Sequence, residues 1–146
     1  ESAETVGESV NWLLEAKPDD FDITIITTYP GSPYYDDAVK DKKGRGTWVY
    51  TYKKTGDKLY SIEIDYTKIA DYYKGAPEGG YRSFVYTDYL TASELVKLRD
   101  GVEKTVRTKL GIPFNPSSAA VRFDHSMGQA GHVLPQNILK TSSPAK

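Results

Sequence analysis

The chain of 146 residues contains no cysteine. Without thiols it can form no disulfide framework, and alone it cannot hold a thiolate-ligated metal ion or an iron–sulfur cluster. It has two histidines, His125 and His132. Two imidazoles without a third ligand at a standard spacing are a weak indication of a zinc site. We therefore expect no metal ion or other cofactor to be bound by this chain alone.

The sequence also lacks an excess of charge of either sign and any long apolar run. Its 19 basic residues are balanced by 20 acidic ones, so we expect no nucleic acid and no anionic membrane as partner. No apolar stretch approaches the roughly 20 residues that span a bilayer. The first residues carry acids where a signal peptide would carry bases. We therefore expect a cytoplasmic protein, and because the chain starts with Glu1 inside a helix signal, a piece of a larger one.

Tyrosine is the one residue type in clear excess. The chain has 12 tyrosines beside four phenylalanines and two tryptophans. Tyrosine covers apolar surface while it keeps a polar tip, which suits half-buried strands, interfaces and pockets.

The first part of the chain predicts one helix–strand unit. Residues 3–17 have apolar residues at helical spacing, with Ser2 as N-cap and Pro18 as terminator. Residues 21–28 are rich in β-branched residues, as strands are. A helix, a short link and a strand form a unit of a parallel sheet.

The second part predicts smaller elements and one long helix. A short helix is expected over 33–43, and a β-hairpin over 47–54 and 58–65 with its turn at 55–57. Residues 81–87 are expected to be extended. Thr91 and Glu94 form a capping box that opens a helix, which Gly111 and Pro113 end. We treat 140–146 as a disordered end.

Several of these segments together carry a resemblance to a known family. They are Glu1-Ser2, the helix ending in Leu13-Leu14-Glu15-Ala16-Lys17-Pro18, the following strand, and the turn Thr28-Tyr29-Pro30-Gly31-Ser32-Pro33-Tyr34-Tyr35. The combination resembles the radical S-adenosylmethionine (SAM) enzymes, most closely the branch with a B12-binding domain ahead of the radical domain. In that family a Gly-x-Pro-Gly-Glu-Ser/Thr segment opens the fifth helix, and the sixth strand runs into a Pro-Tyr-Pro-Gly-Thr-Pro-like turn. The resemblance covers about the first 40 residues, and residues 90–113 resemble a helix often found further along the family's sequences.

The resemblance implies an α/β fold class, with residues 1–43 as the terminal αβ portion of a partial (β/α)6 TIM-like barrel. Residues 44–113 would be an α+β C-terminal extension with a β-hairpin and a long helix, and 114–146 an irregular, partly disordered tail. The parent would hold a [4Fe–4S] cluster on a Cys-x-x-x-Cys-x-x-Cys loop and cleave SAM reductively, with cobalamin as a further possible cofactor. Its partners would be the remainder of the parent barrel and a small-molecule substrate. Without cysteine, this chain in isolation would be inactive.

The resemblance also implies candidate site residues at the end of the sixth strand. The predicted SAM and substrate cavity is lined by Thr27, Thr28, Tyr29, Pro30, Gly31 and Tyr34. Pro30 would fix the turn through its restricted φ, and Gly31 through its access to positive φ. Glu1 would lie near the ribose or amino acid part of SAM.

Two other interpretations stay open. A non-catalytic α/β interaction module would use its tyrosine-rich surface to bind a protein. A hydrolase would use His125, but Asp124, His125 and Ser126 are adjacent, and adjacent side chains on an extended segment diverge. A barrel fragment should leave both strand edges and the apolar helix faces exposed, whereas a module should unfold cooperatively as a monomer.

Overall fold

The computed structural model describes residues 1–42, 47–63 and 82–113. Three helices and four strands lie in these ranges: α1 (Ala3–Ala16), α2 (Pro33–Asp36), β1 (Val39–Lys40), β2 (Thr47–Thr51), β3 (Lys58–Ile62), β4 (Val85–Thr87) and α3 (Ala92–Leu110). The strands form one antiparallel sheet in the order β1-β2-β3-β4. The architecture is mixed α/β of the α+β type, with α1 packed against α3.

Helix α1 forms as its sequence predicts. The Ser2 hydroxyl accepts a bond from the Thr5 N–H (3.3 Å), and the Thr5 hydroxyl accepts one from the Ser2 N–H (2.9 Å). This reciprocal capping satisfies two backbone donors at the helix start. Lys17 ends the helix in the left-handed region (φ 48°), and its N–H donates to the Leu13 carbonyl. No residue of α1 is buried, and Trp12 is 66% exposed.

Residues 21–28, predicted as a strand, form no strand ladder with any part of the chain that the structure describes. The side chains from 21 to 27 nevertheless alternate between half-buried and exposed, as they do in an extended chain. The sheet that does form is built elsewhere, from 39–62 and 85–87.

The predicted hairpin is confirmed. β2 and β3 pair from Thr47 opposite Ile62 to Thr51 opposite Lys58. In the turn, the Gly56 N–H donates to the Tyr52 carbonyl (2.8 Å), and Gly56 has the positive φ (80°) that glycine tolerates. β4 extends the sheet beside β3. Positions 64–65 of the second predicted strand lie outside the described residues, as does 81 before β4.

The short helix predicted over 33–43 is wrong over 37–42, and position 43 lies outside the described residues. α2 ends at Asp36, and Val39 and Lys40 pair with Val49 and Trp48 as strand β1. The Lys40 ammonium also lies over the Trp48 ring, 5.8 Å from its centroid. These contacts with β2 outweigh a local helix preference that is worth only tenths of a kcal/mol per residue.

Helix α3 matches its prediction. The Thr91 hydroxyl accepts from the Glu94 N–H (3.3 Å), and the Glu94 carboxylate accepts from the Thr91 N–H (2.8 Å). Gly111 closes the helix in the left-handed region (φ 70°). The helix buries Val102 and Val106 together with three charged residues, Arg99, Glu103 and Arg107.

The described core is small and is formed by α3, the sheet and the residues just before β1 and α3. Its buried apolar side chains are Ala38, Val85, Leu90, Val102 and Val106. Among the described helices, none has the length and apolar character that crossing a bilayer requires.

Candidate functional site

A large open groove lies between α1, residues 22–26, the sheet and α3. We call it the central groove, and its volume is about 810 Å³. That volume lies within the range of small-molecule sites, roughly 300–1,000 Å³. Its walls are mainly apolar and aromatic and include Val6, Ile25, Tyr34, Tyr50, Leu59 and Leu98. Charged groups border it as well: Glu1, Asp57, Lys58 and Arg99.

Two of the predicted site residues line the central groove. Glu1 lies at one side, and its carbonyl accepts a bond from the Thr87 hydroxyl (3.3 Å). Tyr34 lies on the groove wall with its ring edge-on to Tyr50, at 4.9 Å between centroids and 67° between planes. Such T-shaped pairs are a favoured aromatic geometry. Tyr34 and Tyr50 therefore form an aromatic corner of the groove.

The other predicted cavity residues form the turn beyond the groove and do not line it. Thr28 is buried, while Thr27, Tyr29 and Pro30 are half-buried. The Ser32 N–H and hydroxyl both donate to the Tyr29 carbonyl, at 3.0 and 2.7 Å.

Gly31 has the left-handed backbone predicted for it (φ 89°), and its N–H donates to the Asp36 carboxylate (3.2 Å). Local hydrogen bonds thus connect the two ends of this turn. His125 lies outside the described residues.

Three charged side chains on α3 bond the backbone of the extended segment, an arrangement the sequence analysis missed. We call Arg99, Glu103 and Arg107 the Arg–Glu–Arg ladder. Arg99 Nε donates to the Ile23 carbonyl (3.0 Å), and the Ile23 N–H donates to Glu103 Oε1 (3.0 Å). Arg107 donates to the Phe21 carbonyl. The ladder thus occupies the place that a neighbouring strand would take along 21–23.

The members of the ladder are themselves paired. Arg107 Nε lies 2.6 Å from Glu103 Oε2, and Arg107 Nη1 lies 2.8 Å from Asp20 Oδ1. Glu103 is only 1% exposed. Burial lowers the pKa of Arg107, but the bonds to Glu103 and Asp20 outweigh it, so this pKa lies above its ordinary value. The guanidinium also lies over the Phe21 ring, 4.7 Å from its centroid.

Among residues 1–42, 47–63 and 82–113, none forms a backbone hydrogen bond to the opposite edge of the extended segment. In extended backbone the N–H and C=O of successive residues point to alternate edges. Because both polar groups of Ile23 face the ladder, those of Asp22, Thr24 and Ile26 face the other way. The described structure gives no backbone hydrogen bond to any residue of 24–27.

Tyr60 and Tyr86 of the sheet and Tyr89 just after β4 form what we call the tyrosine cluster. The rings of Tyr60 and Tyr86 stack at 4.8 Å with 5° between planes. The Tyr60 hydroxyl donates to Asp88 (2.7 Å), which raises the pKa of Tyr60 to about 12. The Tyr89 hydroxyl donates to Asp57 (3.0 Å), which raises the pKa of Tyr89. Hydrogen bonds from Thr55 and Tyr89 lower the pKa of Asp57. These phenols therefore stay protonated at neutral pH.

Within 1–42, 47–63 and 82–113, no three acidic, histidine or cysteine side chains are grouped as a metal site would require. The fold and groove define a mixed α/β chain whose central groove has mainly apolar walls and is bordered by the extended segment 22–26. Neither a family model, nor a curated protein, nor a solved structure matches this chain.

Proposed function

We propose that this chain is the C-terminal part of a radical SAM enzyme, and that it supplies the last helix–strand unit of the parent's partial (β/α)6 barrel. The observation that carries the proposal is the extended segment 21–28, which follows α1 and enters the Pro-Gly turn, and whose backbone over 24–27 forms no hydrogen bond with the part of the chain that the structure describes. A strand-like segment without a strand neighbour is incomplete as a sheet. The missing neighbour would be the preceding strand of the parent barrel.

One edge of the segment differs from what we expected of a barrel fragment. We expected both edges of a barrel fragment to be exposed, but the Arg–Glu–Arg ladder covers one of them at Phe21 and Ile23. The sixth strand of an open six-stranded barrel has a neighbour on one edge only. The ladder bonds one edge of the segment, and a preceding strand would pair with the other edge, as the last strand of such a barrel requires.

Helix α1 supports the same conclusion. It buries none of its residues, and the Trp12 side chain is 66% exposed. A large aromatic side chain gains stability when it packs against other apolar surface. The proposed parent would offer that surface through its preceding helix.

The chemistry of the parent would be shared between its parts. This chain offers no thiolate, so the cysteine loop upstream would hold the [4Fe–4S] cluster, which together with SAM would supply hydrogen-atom abstraction from the substrate. The residues present here would shape the cavity. Tyr34 and Tyr50 would offer aromatic faces to a sulfonium cation, and Glu1 a carboxylate for hydroxyl or ammonium groups. Residues 27–31 would line the part of the cavity that parent strands complete.

The test uses the native polypeptide that contains residues 1–146. It is purified without oxygen, loaded with iron and sulfide, and incubated with SAM and dithionite while 5′-deoxyadenosine is quantified. We expect the nucleoside to form, and Tyr34→Ala to lower its rate about tenfold because a wall residue is lost. Tyr89→Phe is the matched control. A native polypeptide without the cysteine triplet, or a loaded cluster that yields no 5′-deoxyadenosine, would contradict the proposal.

A second candidate function, a protein-interaction module, is favoured by the exposed tyrosines around the hairpin turn. Tyr89 is 61% exposed and Tyr52 43% exposed, and tyrosine is enriched at the centres of interfaces. This module would be complete without a parent barrel. It predicts a single cooperative unfolding transition of monomeric 1–146, measured by circular dichroism and sedimentation, whereas a fragment predicts a loosely packed or associating chain.

A further inference from the structure

We infer that the aromatic corner of the central groove, together with Asp57, binds the trimethylammonium group of a small molecule. The inference uses only the geometry of the groove and is independent of the radical SAM assignment. It adds a ligand chemistry that the assignment does not contain, a permanently charged and fully alkylated nitrogen. The proposed function offers the same corner to a sulfonium cation, and a competition with SAM separates the two cations.

The aromatic corner brings several rings to one end of the groove. Tyr34 and Tyr50 meet edge to face, with 4.9 Å between centroids and 67° between planes, so a group in the angle between them can contact both rings. Tyr52 lies two residues after Tyr50 and lines the same groove. Leu59, opposite Tyr50 in the hairpin, adds an aliphatic wall. Because the faces of aromatic rings are negative, they attract cations within about 6 Å of the ring centroid.

Asp57 places a negative charge at the same end of the groove. It lies across the hairpin from Tyr52, whose N–H donates to the Asp57 carbonyl (2.8 Å). The Asp57 carboxylate accepts bonds from the neutral hydroxyls of Thr55 and Tyr89, and it forms no ion pair with the residues that the structure describes. These bonds lower the pKa of Asp57, so the carboxylate is ionised at neutral pH. A carboxylate without a counterion beside aromatic walls favours a cationic ligand.

The basic side chains that border the groove do not neutralise this carboxylate. Arg99 is paired with Asp100, at 2.8 Å between Nη1 and Oδ1. Lys58 directly follows Asp57 at the start of β3, so strand alternation directs its side chain to the opposite face of the sheet. The positive α-amino group of Glu1 contributes to the lowered pKa of Asp57. Positive charge on this side of the groove therefore stabilises the ionised carboxylate.

The corner favours an alkylated ammonium over a primary one. A primary ammonium carries three N–H donors and is destabilised where acceptors are lacking. Both oxygens of Asp57 already accept bonds, from Thr55 and Tyr89. A trimethylammonium group has no donor to satisfy, and its methyl groups gain from contact with tyrosine rings and Leu59. The groove volume of about 810 Å³ leaves room for the rest of a small molecule.

The experiment measures the binding of choline to the native polypeptide that contains residues 1–146, by isothermal titration calorimetry. The matched neutral ligand is neohexanol, in which carbon replaces the charged nitrogen while size and shape are kept. We expect choline to bind about tenfold more tightly than neohexanol, because only choline gains the cation–π attraction. Equal affinities, or no binding of choline, would overturn the inference.

Two variants at one position test the aromatic face. Tyr34→Phe keeps the ring and removes only the hydroxyl, so choline should bind with unchanged affinity. Tyr34→Leu removes the ring and should lower the affinity for choline about tenfold, to that of neohexanol. Tyr34 is 39% exposed, and matching circular dichroism spectra establish that both variants are folded. If the two variants bind choline equally well, the aromatic corner is not the site.

A variant of the carboxylate tests the charge. Asp57→Asn should weaken choline binding about threefold and leave neohexanol binding unchanged, because the charge attracts only the cation. Asp88→Asn is the control, since Asp88 bonds Tyr60 and does not line the groove. Equal choline affinities of these two variants would show that Asp57 takes no part in the site.

Further outcomes separate the ligand from the proposed function. If SAM displaces choline but S-adenosylhomocysteine, which lacks the sulfonium charge, does not, the occupant of the corner is a sulfonium and the ammonium site is overturned. If the native polypeptide prefers choline to neohexanol but forms no 5′-deoxyadenosine, the ammonium site stands and the radical SAM assignment fails. If it forms the nucleoside without this preference, the assignment stands and the ammonium site fails.

Discussion

Replacing Glu103 by glutamine should strongly destabilise the chain. The carboxylate is buried between two guanidinium groups, 2.6 Å from Arg107 Nε and 3.7 Å from Arg99 Nη2. Breaking a buried ion pair from one side typically costs about 3–5 kcal/mol, because the remaining charge stays buried. Arg107 keeps its 2.8 Å contact with Asp20, so we expect the lower end, about 3 kcal/mol. For a chain of this length, that loss lowers the melting temperature by roughly 6–12 °C.

The assay is urea unfolding followed by circular dichroism, with Lys104→Gln as control. Lys104 is exposed on the same helix, and its replacement removes one charge at the surface, so its effect should stay within about 0.5 kcal/mol. Glutamine at 103 retains one oxygen that can accept from the Ile23 N–H, but its NH2 group replaces the oxygen that accepts from Arg107 Nε, so the variant removes the charge together with that acceptor. Equal free energies of unfolding for the two variants would refute the structural role of the ladder.

A double variant tests whether the ladder acts as a unit. Glu103→Leu and Arg107→Met should each be strongly destabilising, because each leaves buried charge behind. Combined, they should cost about 1–3 kcal/mol less than the sum of the single variants, since neither member of the Glu103–Arg107 pair is then left buried opposite a missing partner. Additive losses would show that Glu103 and Arg107 stabilise the chain independently.

Three further predictions concern the caps of α3 and the tyrosine cluster. Thr91→Ala should lower the free energy of unfolding by about 1 kcal/mol, measured in urea against Thr105→Ala as the exposed control. Gly111→Ala should cost about 1 kcal/mol, because open space surrounds the position but its φ of 70° is unfavourable for alanine. In a spectrophotometric titration Tyr60 should ionise near pH 12. The folded pKa of Tyr60 lies above the ordinary value of 10.0, so the Tyr60–Asp88 hydrogen bond stabilises the chain fully below pH 10.0 and loses this effect as the pH rises towards 12. Asp88→Asn should lower the pKa of Tyr60.

Each of these has a clear contrary result. The cap assignments fail if Thr91→Ala matches Thr105→Ala, or if Gly111→Ala leaves stability unchanged. The tyrosine assignment fails if Asp88→Asn leaves the titration curve unaltered.

Local signals in the sequence predicted the elements whose caps or turns involve residues only a few positions apart. Helix α3 was predicted because Thr91, Glu94 and Gly111 satisfy its ends, and the hairpin because the turn around Gly56 is short and specific. Strand β1 was missed because Val39 and Lys40 form a strand only by pairing with β2, and no local sequence pattern indicates this pairing. Propensity decides little where long-range contacts are available.

The candidate site was less predictable for the same reason. The positive φ of Gly31 could be predicted because glycine readily adopts it. Whether the turn faces the groove depends on how elements far apart in the sequence pack together. The ladder joins residues 76–87 positions apart. One signal was present: Arg99, Glu103 and Arg107 recur at intervals of four on the helix face that carries Val102 and Val106. Charged residues at core positions of a helix indicate buried ion pairing.

The sequence separation within the ladder also has a consequence for biosynthesis. Glu103 follows its backbone partner Ile23 by 80 residues. At about 5–20 residues per second, the ribosome needs roughly 4–16 s to make α3 after it has made that strand. During this interval the backbone groups of Phe21 and Ile23 lack the α3 side chains that bond them. One edge of an apolar, β-branched segment is then exposed. Nascent chains therefore pass through a period of exposure to aggregation or to chaperones, which ends when α3 docks.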